Sequence, residues 1–215
     1  MKKVIAITGG IASGKSMATN YIREKGYIVI DADSVVHNMY GEKVFNEPLR
    51  SEFGEEIFSN GLVDRKKLGE IIYNDSSKRE ALNKITHPLI YERIKKEIDM
   101  CQSDIIFIDV ALLFEAGFDS LADIIVCIKS SIDIRIKRLI NRDNISKEYA
   151  LKKIESQMTN EEMCKKSDII INHDNNDLTL FYNDIDKMLL EVKKYVKNIS
   201  NIWGSKKRYF KNSLV

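Results

Sequence analysis

The stretch Ile7-Thr8-Gly9-Gly10-Ile11-Ala12-Ser13-Gly14-Lys15-Ser16 directly follows a short apolar run near the start of the chain. Gly9, four further residues, Gly14, Lys15 and Ser16 satisfy the G-x-x-x-x-G-K-[ST] pattern in full. A surface turn needs one or two glycines and no particular lysine or serine. A loop that wraps its main-chain N–H groups around an anion needs all of them: glycines for the tight path, lysine to reach the outer phosphates, serine to hold Mg²⁺ through its hydroxyl. The same chemistry requires a strand before the loop and a helix after it, so that the positive helix end faces the anion. Both are legible. Residues 4–7 are an apolar run, and Met17, Tyr21 and Ile22 form one face of a helix that Gly26 ends at its C′ position.

Four more short, largely β-branched runs follow, at residues 28–30, 105–108, 124–128 and 169–171. They are continuous rather than alternating, which is how strands buried on both faces read, so a parallel sheet covered by helices is expected. Between the second and third runs lie about seventy residues, 32–104, far more than one crossover helix requires. This is an insertion, expected to be helical. Its periodicity is clearest after Thr86-His87-Pro88, where Pro88 suits a first helical position and Ile90, Ile94 and Ile98 recur at i, i+4, i+8.

Composition bounds the remaining possibilities. With 44% apolar and 31% charged residues and two prolines in 215, the chain is globular rather than fibrous or disordered. The net charge is +2, but Lys193, Lys194, Lys197, Lys206, Lys207, Arg208 and Lys211 crowd the end, and without them the chain is acidic. General nucleic-acid affinity is therefore not its signature. Cys101, Cys127 and Cys164 are odd in number and widely spaced, against both a disulfide framework and a zinc site. No apolar run reaches the length of a signal-peptide core or a membrane span. A soluble, cytoplasmic protein without a membrane or nucleic-acid partner is expected, monomeric or weakly self-associating.

Several charged groups suit phosphoryl chemistry. Asp31 and Asp33 sit at the carboxyl end of the second strand, where ligands gather in open α/β sheets. Asp31 reads equally well as the N-cap of the next helix. Asp109 follows the third strand directly, the arrangement of a Walker-B carboxylate near the metal. Arg135, Arg138 and Arg142, at i, i+3, i+7, share one helix face; Arg135 reads equally as solvated surface, while Arg138 and Arg142 read as donors to a transferring phosphoryl group. His87, taken as lying at a helix start, is expected to be less basic than a free histidine.

In "TGGIASGKS", "VIDAD", "FGEEIFSNGLVDRKKLGEIIYND", "THPLI", "DVALLFEAG", "RLINRDNIS", "IESQM" and "SDIIIN", the chain resembles the dephospho-coenzyme A kinases, P-loop small-molecule kinases, from Met1 to about residue 180. The resemblance implies an α/β core with five parallel strands in the order 2-3-1-4-5, formed by 1–31 with 105–215. It also implies a substrate-binding insertion, 32–104, and a helical lid at about 133–165. The reaction implied is transfer of the ATP γ-phosphoryl group to the ribose 3′-hydroxyl of dephospho-coenzyme A, with Mg²⁺. By the same resemblance Asp33 is the base, Lys15, Arg138 and Arg142 supply positive charge, and Gly9, Gly10, Ile11, Ala12, Ser13, Gly14, Lys15, Ser16, Met17 and Asn172 bind the nucleotide. Thr8, Asp33, Arg65, His87 and Leu113 meet the substrate, and Ser16 and Asp109 hold the metal. The chain departs from the family pattern at Ala12 for glycine, Ala111 for proline, Arg135 for glutamine and "NHD" for N-x-G. Rival readings keep the loop but change the acceptor, or make the protein a nucleotide-dependent switch. No N-K-x-D guanine signature supports the switch.

Overall fold

The computed structural model describes residues 2–174 and 177–198; Trp203, Lys206, Lys207, Arg208, Tyr209 and Lys211 lie outside them. In chain order the elements are β1 (Lys3–Thr8), α1 (Lys15–Glu24), β2 (Ile28–Asp31), α2 (Ala32–Met39), α3 (Lys43–Phe53), β3 (Phe58–Ser59), β4 (Leu62–Val63), α4 (Arg65–Asn74) and α5 (Ser76–Met100). They continue with β5 (Ile105–Asp109), β6 (Ile124–Lys129), α6 (Ile132–Asp143), α7 (Lys147–Glu155), α8 (Asn160–Lys166), β7 (Ile169–Asn172) and α9 (Leu178–Asn198). The chain divides into two compact units, Met1–Val29 with Gln102–Val215, and Ile30–Cys101.

The five apolar runs form one sheet in the order β2-β5-β1-β6-β7, which counted over these strands alone is the expected 2-3-1-4-5. β1 pairs in parallel with β5 on one side, Ile7 opposite Asp109, and with β6 on the other, Thr8 opposite Cys127. Central strands flanked in this way lose water on both faces, which is why their sequences do not alternate. One face packs Ile5, Ile7, Phe107, Val126 and Ile128 against Ala18 and Ile22 of α1 and Phe181, Ile185 and Met188 of α9. At about 1.5–3 kcal/mol for each large side chain taken from water, this layer holds the first strand and helix at a fixed distance. The loop joining them inherits that rigidity.

The second unit is mostly helical. Its β3–β4 hairpin turns at Asn60-Gly61, both at positive φ (52° and 79°), the sequence that a two-residue hairpin loop demands. The Asp31 side chain caps α2 by accepting from the N–H groups of Asp33 and Ser34, and Asp64 caps α4 in the same way. Ile90, Ile94 and Ile98 form the buried stripe of α5 as their spacing predicts. The start of that helix corrects the sequence reading. α5 begins at Ser76, capped by Asp75, and Pro88 lies in its interior. The Thr86 hydroxyl donates back to the Leu82 carbonyl (2.8 Å) within this continuous helix. Among the described residues no helix is long and apolar enough to cross a membrane.

Candidate functional site

The glycine loop occupies the connection from β1 to α1. Gly14, at φ 106° and ψ 12°, is the N-cap of α1 and supplies no side-chain oxygen; its carbonyl accepts from the Met17 N–H (3.0 Å), which leaves the N–H groups of Lys15 and Ser16 at the helix start for a ligand. Inside the loop the Ser13 N–H donates to the Gly10 carbonyl (3.0 Å), closing the turn. Three neighbours crowd the space that a side chain on its three glycines would need. A Cβ on Gly9 would lie 2.5 Å from the Ile128 carbonyl oxygen, one on Gly10 2.4 Å from Arg135 Nη2, and one on Gly14 2.2 Å from His173 Nδ1. Ala12 takes the left-handed conformation, φ 62°, at the position where the family pattern has glycine.

At the helix start Lys15 Nζ pairs with Asp109 Oδ1, and the Thr19 hydroxyl donates to Asp109 Oδ2 at 2.9 Å. Asp109 is only 6% exposed, so a carboxylate that would be costly alone is matched on both oxygens. Ser16, the next residue, is exposed. Among the described residues no three carboxylate, histidine or cysteine side chains cluster as a metal cage. One hydroxyl and one carboxylate suit Mg²⁺, which commonly takes few protein ligands and completes its shell with phosphate oxygens and water. The ammonium now on Asp109 shows that this carboxylate already accommodates a cation.

The arginine stripe divides into two roles. Arg135 is 2% exposed, donates from Nε to the Ile11 carbonyl (2.8 Å) and from Nη1 to Asn160 (3.1 Å), and burial pulls its pKa down. It is neither solvated surface nor open to a ligand. Arg138 lies behind the loop, its Nη1 3.2 Å from the carbonyls of Ala12 and Ser13 and 3.0 Å from Ser130 Oγ, its Nη2 3.0 Å from the His173 carbonyl. Arg142, a turn further on, is exposed and bonded to the neighbouring Asp143, which raises its pKa.

Other candidates fall into place individually. Met17 is half-buried against the sheet core, Thr8 is buried at the end of β1, and Asn172 is exposed at the end of β7. Leu113, expected to touch substrate, is fully buried, and it is Leu112 that is 40% exposed. The reason is the tight turn after β5, where the Leu113 carbonyl accepts from the Phe118 N–H (2.9 Å) and the side chain turns inward.

In the second unit Asp31 spends a carboxylate oxygen on capping, while the Asp33 side chain is exposed in the first turn of α2. The Arg65 guanidinium lies 5.9 Å from the centre of the Tyr40 ring. Burial raises the Tyr40 phenol pKa, Arg65 opposes that rise and Asp33 adds to it, so the three share one neighbourhood. His87 lies within α5, half-buried, and burial, not a helix start, lowers its pKa.

Three residues around the loop escape sequence reasoning. Thr19 stands one turn beyond Lys15. Gln157 Oε1 accepts from the Ile11 N–H at 2.7 Å, and its only sequence signal is membership of "IESQM". His173 is 2% exposed, stacked on Phe181 with ring centres 4.0 Å apart and planes 17° apart, and its signal was a polar residue directly after a buried strand.

The family model for dephospho-CoA kinase matches residues 3–179. The chain is 41% identical over 179 residues to the dephospho-CoA kinase of Fusobacterium nucleatum, covering 83% of this chain and 93% of that one. It is 38% identical over 204 residues to that of Listeria monocytogenes, covering 92% and 100%. The solved dephospho-CoA kinase of Campylobacter jejuni superposes with a TM-score of 0.69 at 29% identity, over 90% of this chain and 98% of that one.

Proposed function

The chain belongs to the dephospho-CoA kinase family, and we propose that its glycine loop, Lys15, Asp109 and Asp33 carry out that family's reaction, ATP-dependent phosphorylation of the ribose 3′-hydroxyl of dephospho-coenzyme A. The observation that carries this reading is the complete loop between β1 and α1, backed by the Lys15–Asp109–Thr19 arrangement.

Phosphoryl transfer passes through a loose transition state, so catalysis is chiefly alignment and charge neutralisation. The first-turn amides of α1 grip the phosphates, and an entering triphosphate competes with Asp109 for the Lys15 ammonium. Ser16 and Asp109 are the residues that would hold Mg²⁺, which would supply further neutralising charge. Arg138 acts from behind, its donors committed to loop carbonyls. Arg142 is exposed and exchanges Asp143 for the transferring group, with 133–165 as the lid. Asp33, whose carboxylate is exposed beside a capping Asp31, orients the acceptor hydroxyl and takes its proton. Arg65 and His87 contribute to substrate binding from the same unit, and Asn172 contributes at the nucleotide. We assign the reaction to the cytoplasm, in keeping with Cys101, Cys127 and Cys164 all being free thiols.

The test is ADP release from ATP with and without dephospho-coenzyme A, with the product analysed for a 3′-phosphate. Stimulation by that acceptor and not by nucleoside monophosphates or simple alcohols is expected. ATP turnover indifferent to dephospho-coenzyme A would refute the assignment.

A further inference from the structure

We propose that His173 is a positioning residue for the transfer: a neutral imidazole wedged beneath the glycine loop that holds the loop's amides toward the nucleotide, and whose protonation releases the loop. Its backbone continues β7, with its N–H donating to the Lys129 carbonyl at 2.8 Å, and its ring is pinned flat against Phe181. The two ring nitrogens face partners that determine the tautomer between them. Nδ1 lies 3.0 Å from the Ser13 carbonyl oxygen, which can only accept, so Nδ1 carries the hydrogen. Nε2 lies 3.3 Å from Arg138 Nη2, which can only donate, so Nε2 presents a lone pair. The ring also fills the space that a side chain on residue 14 would need.

The groups around the ring make protonation consequential. From α6 it faces the Arg138 guanidinium, from the loop the Ser13 carbonyl, from α9 the apolar Phe181, and next in sequence stands Asp174, whose Oδ1 accepts from the Ser131 N–H (2.5 Å). Burial lowers the histidine's pKa, with Arg138 adding to the effect and the Ser13 carbonyl and Asp174 opposing it. A proton on Nε2 would set an N–H against the N–H of a guanidinium that already serves the carbonyls of Ala12, Ser13 and His173. Arg138 would have to turn away, and the loop would lose its support on the side opposite the nucleotide. The clamp thus couples two distant segments, α6 and the end of β7, to one turn of backbone.

The inference rests on the kinase reading only in taking ATP as the ligand, so its test is direct ATP binding by the full chain, measured by calorimetry without acceptor at pH 7.5 and 5.5. His173→Phe keeps the stack and removes both nitrogens; it should weaken ATP binding about tenfold at pH 7.5, the scale of a lost hydrogen-bond network, while leaving KM for dephospho-coenzyme A unchanged. His173→Asn offers an amide N–H toward Ser13 and no titrating ring; it should bind within about threefold of wild type at pH 7.5, a fraction of one hydrogen bond. ATP's own titration is common to all proteins, so only the wild type should show an additional loss at pH 5.5. His173→Phe binding ATP as tightly as wild type, or wild type and His173→Asn losing affinity equally on acidification, overturns the proposal. Should His173→Phe fail to fold, the acid comparison with His173→Asn decides alone. Normal ATP binding without turnover of dephospho-coenzyme A would sink the assigned reaction and leave this clamp standing.

Discussion

Replacing Gly14 by alanine should be among the most damaging single-methyl additions to this chain, and the structure says by how much. The left-handed backbone at φ 106° costs an L-residue about 1–2 kcal/mol. The new methyl would lie 2.2 Å from Nδ1 and 2.8 Å from Cε1 of His173, a ring that is 2% exposed and stacked on Phe181. The ring can yield only by giving up its hydrogen bond to the Ser13 carbonyl, and a buried donor left unmatched costs about 1–3 kcal/mol. The total is about 3 kcal/mol, which for a chain of this size lowers Tm by roughly 6–12 °C. Thermal unfolding followed by circular dichroism measures it. A double-mutant cycle then separates the two causes. In a His173→Ala background the obstacle is gone, so Gly14→Ala should cost the backbone strain alone, leaving a coupling of about 1–2 kcal/mol between the sites. A Gly14→Ala protein melting within 2 °C of wild type, as judged against that size scaling, or a cycle that closes additively, would refute the reasoning.

Asp33→Asn should lower kcat by roughly a hundredfold or more while leaving KM for ATP nearly unchanged, the pattern of a lost general base; wild-type turnover in steady-state kinetics would remove Asp33 from that role. Ala12→Gly relieves a left-handed alanine at φ 62° and should leave stability unchanged or raise it by up to about 1 kcal/mol. A loss of that size in denaturant unfolding would show instead that the Ala12 methyl, packed on the Ile136 and Leu139 cluster, outweighs its backbone strain. Stability should also fall on acidification from pH 7.5 to 5.5. Burial lowers the pKa of both His87 and His173, so below about pH 6.5 the unfolded chain binds protons first and gains on the folded one. The lowered carboxylates act only below about pH 5 and do not enter this window. A urea midpoint that held steady or rose at pH 5.5 would reverse the sign assigned to these histidines.

What could be read from the sequence is what depends on residue type at short spacing. The glycine loop was legible because backbone that turns around an anion tolerates few residues at Gly9 and Gly14. The strands were legible because burial on both faces leaves no polar alternation, and the stripe Ile90, Ile94, Ile98 because its period is that of a helix. The start of α5 was not, because Thr86-His87-Pro88 satisfies the local rules for both a helix start and a helix interior, and the choice fell to Asp75, eleven residues before Thr86. The burial of Leu113 beside an exposed Leu112 has the same origin. A turn decides which of two adjacent leucines faces in, and the turn is made by hydrogen bonds from Phe118 and its neighbour.

The site itself marks the boundary more sharply. Ser13 and His173 are separated by 160 positions, Ile11 and Gln157 by 146, and Ala12 and Arg138 by 126, yet each pair is in hydrogen-bond contact. Sequence spacing places Arg135 and Arg138 on one helix face but says nothing of what that face meets, and it meets the carbonyl side of the loop rather than solvent. Gly14, at φ 106°, therefore has two independent reasons to be glycine, and Gly10, whose φ is not positive, has only the second. One is local, the path of the backbone around a phosphate, and it is what makes the motif recognisable. The other is the presence of Arg135 and His173 a fraction of a side chain away, which follows from how α6 and β7 pack against β1. A motif of ten residues thus records contacts made by residues more than a hundred positions distant. Under the proposed function, ATP affinity should respond to substitutions at positions 135, 138, 157 and 173, each of which hydrogen-bonds the loop's own backbone.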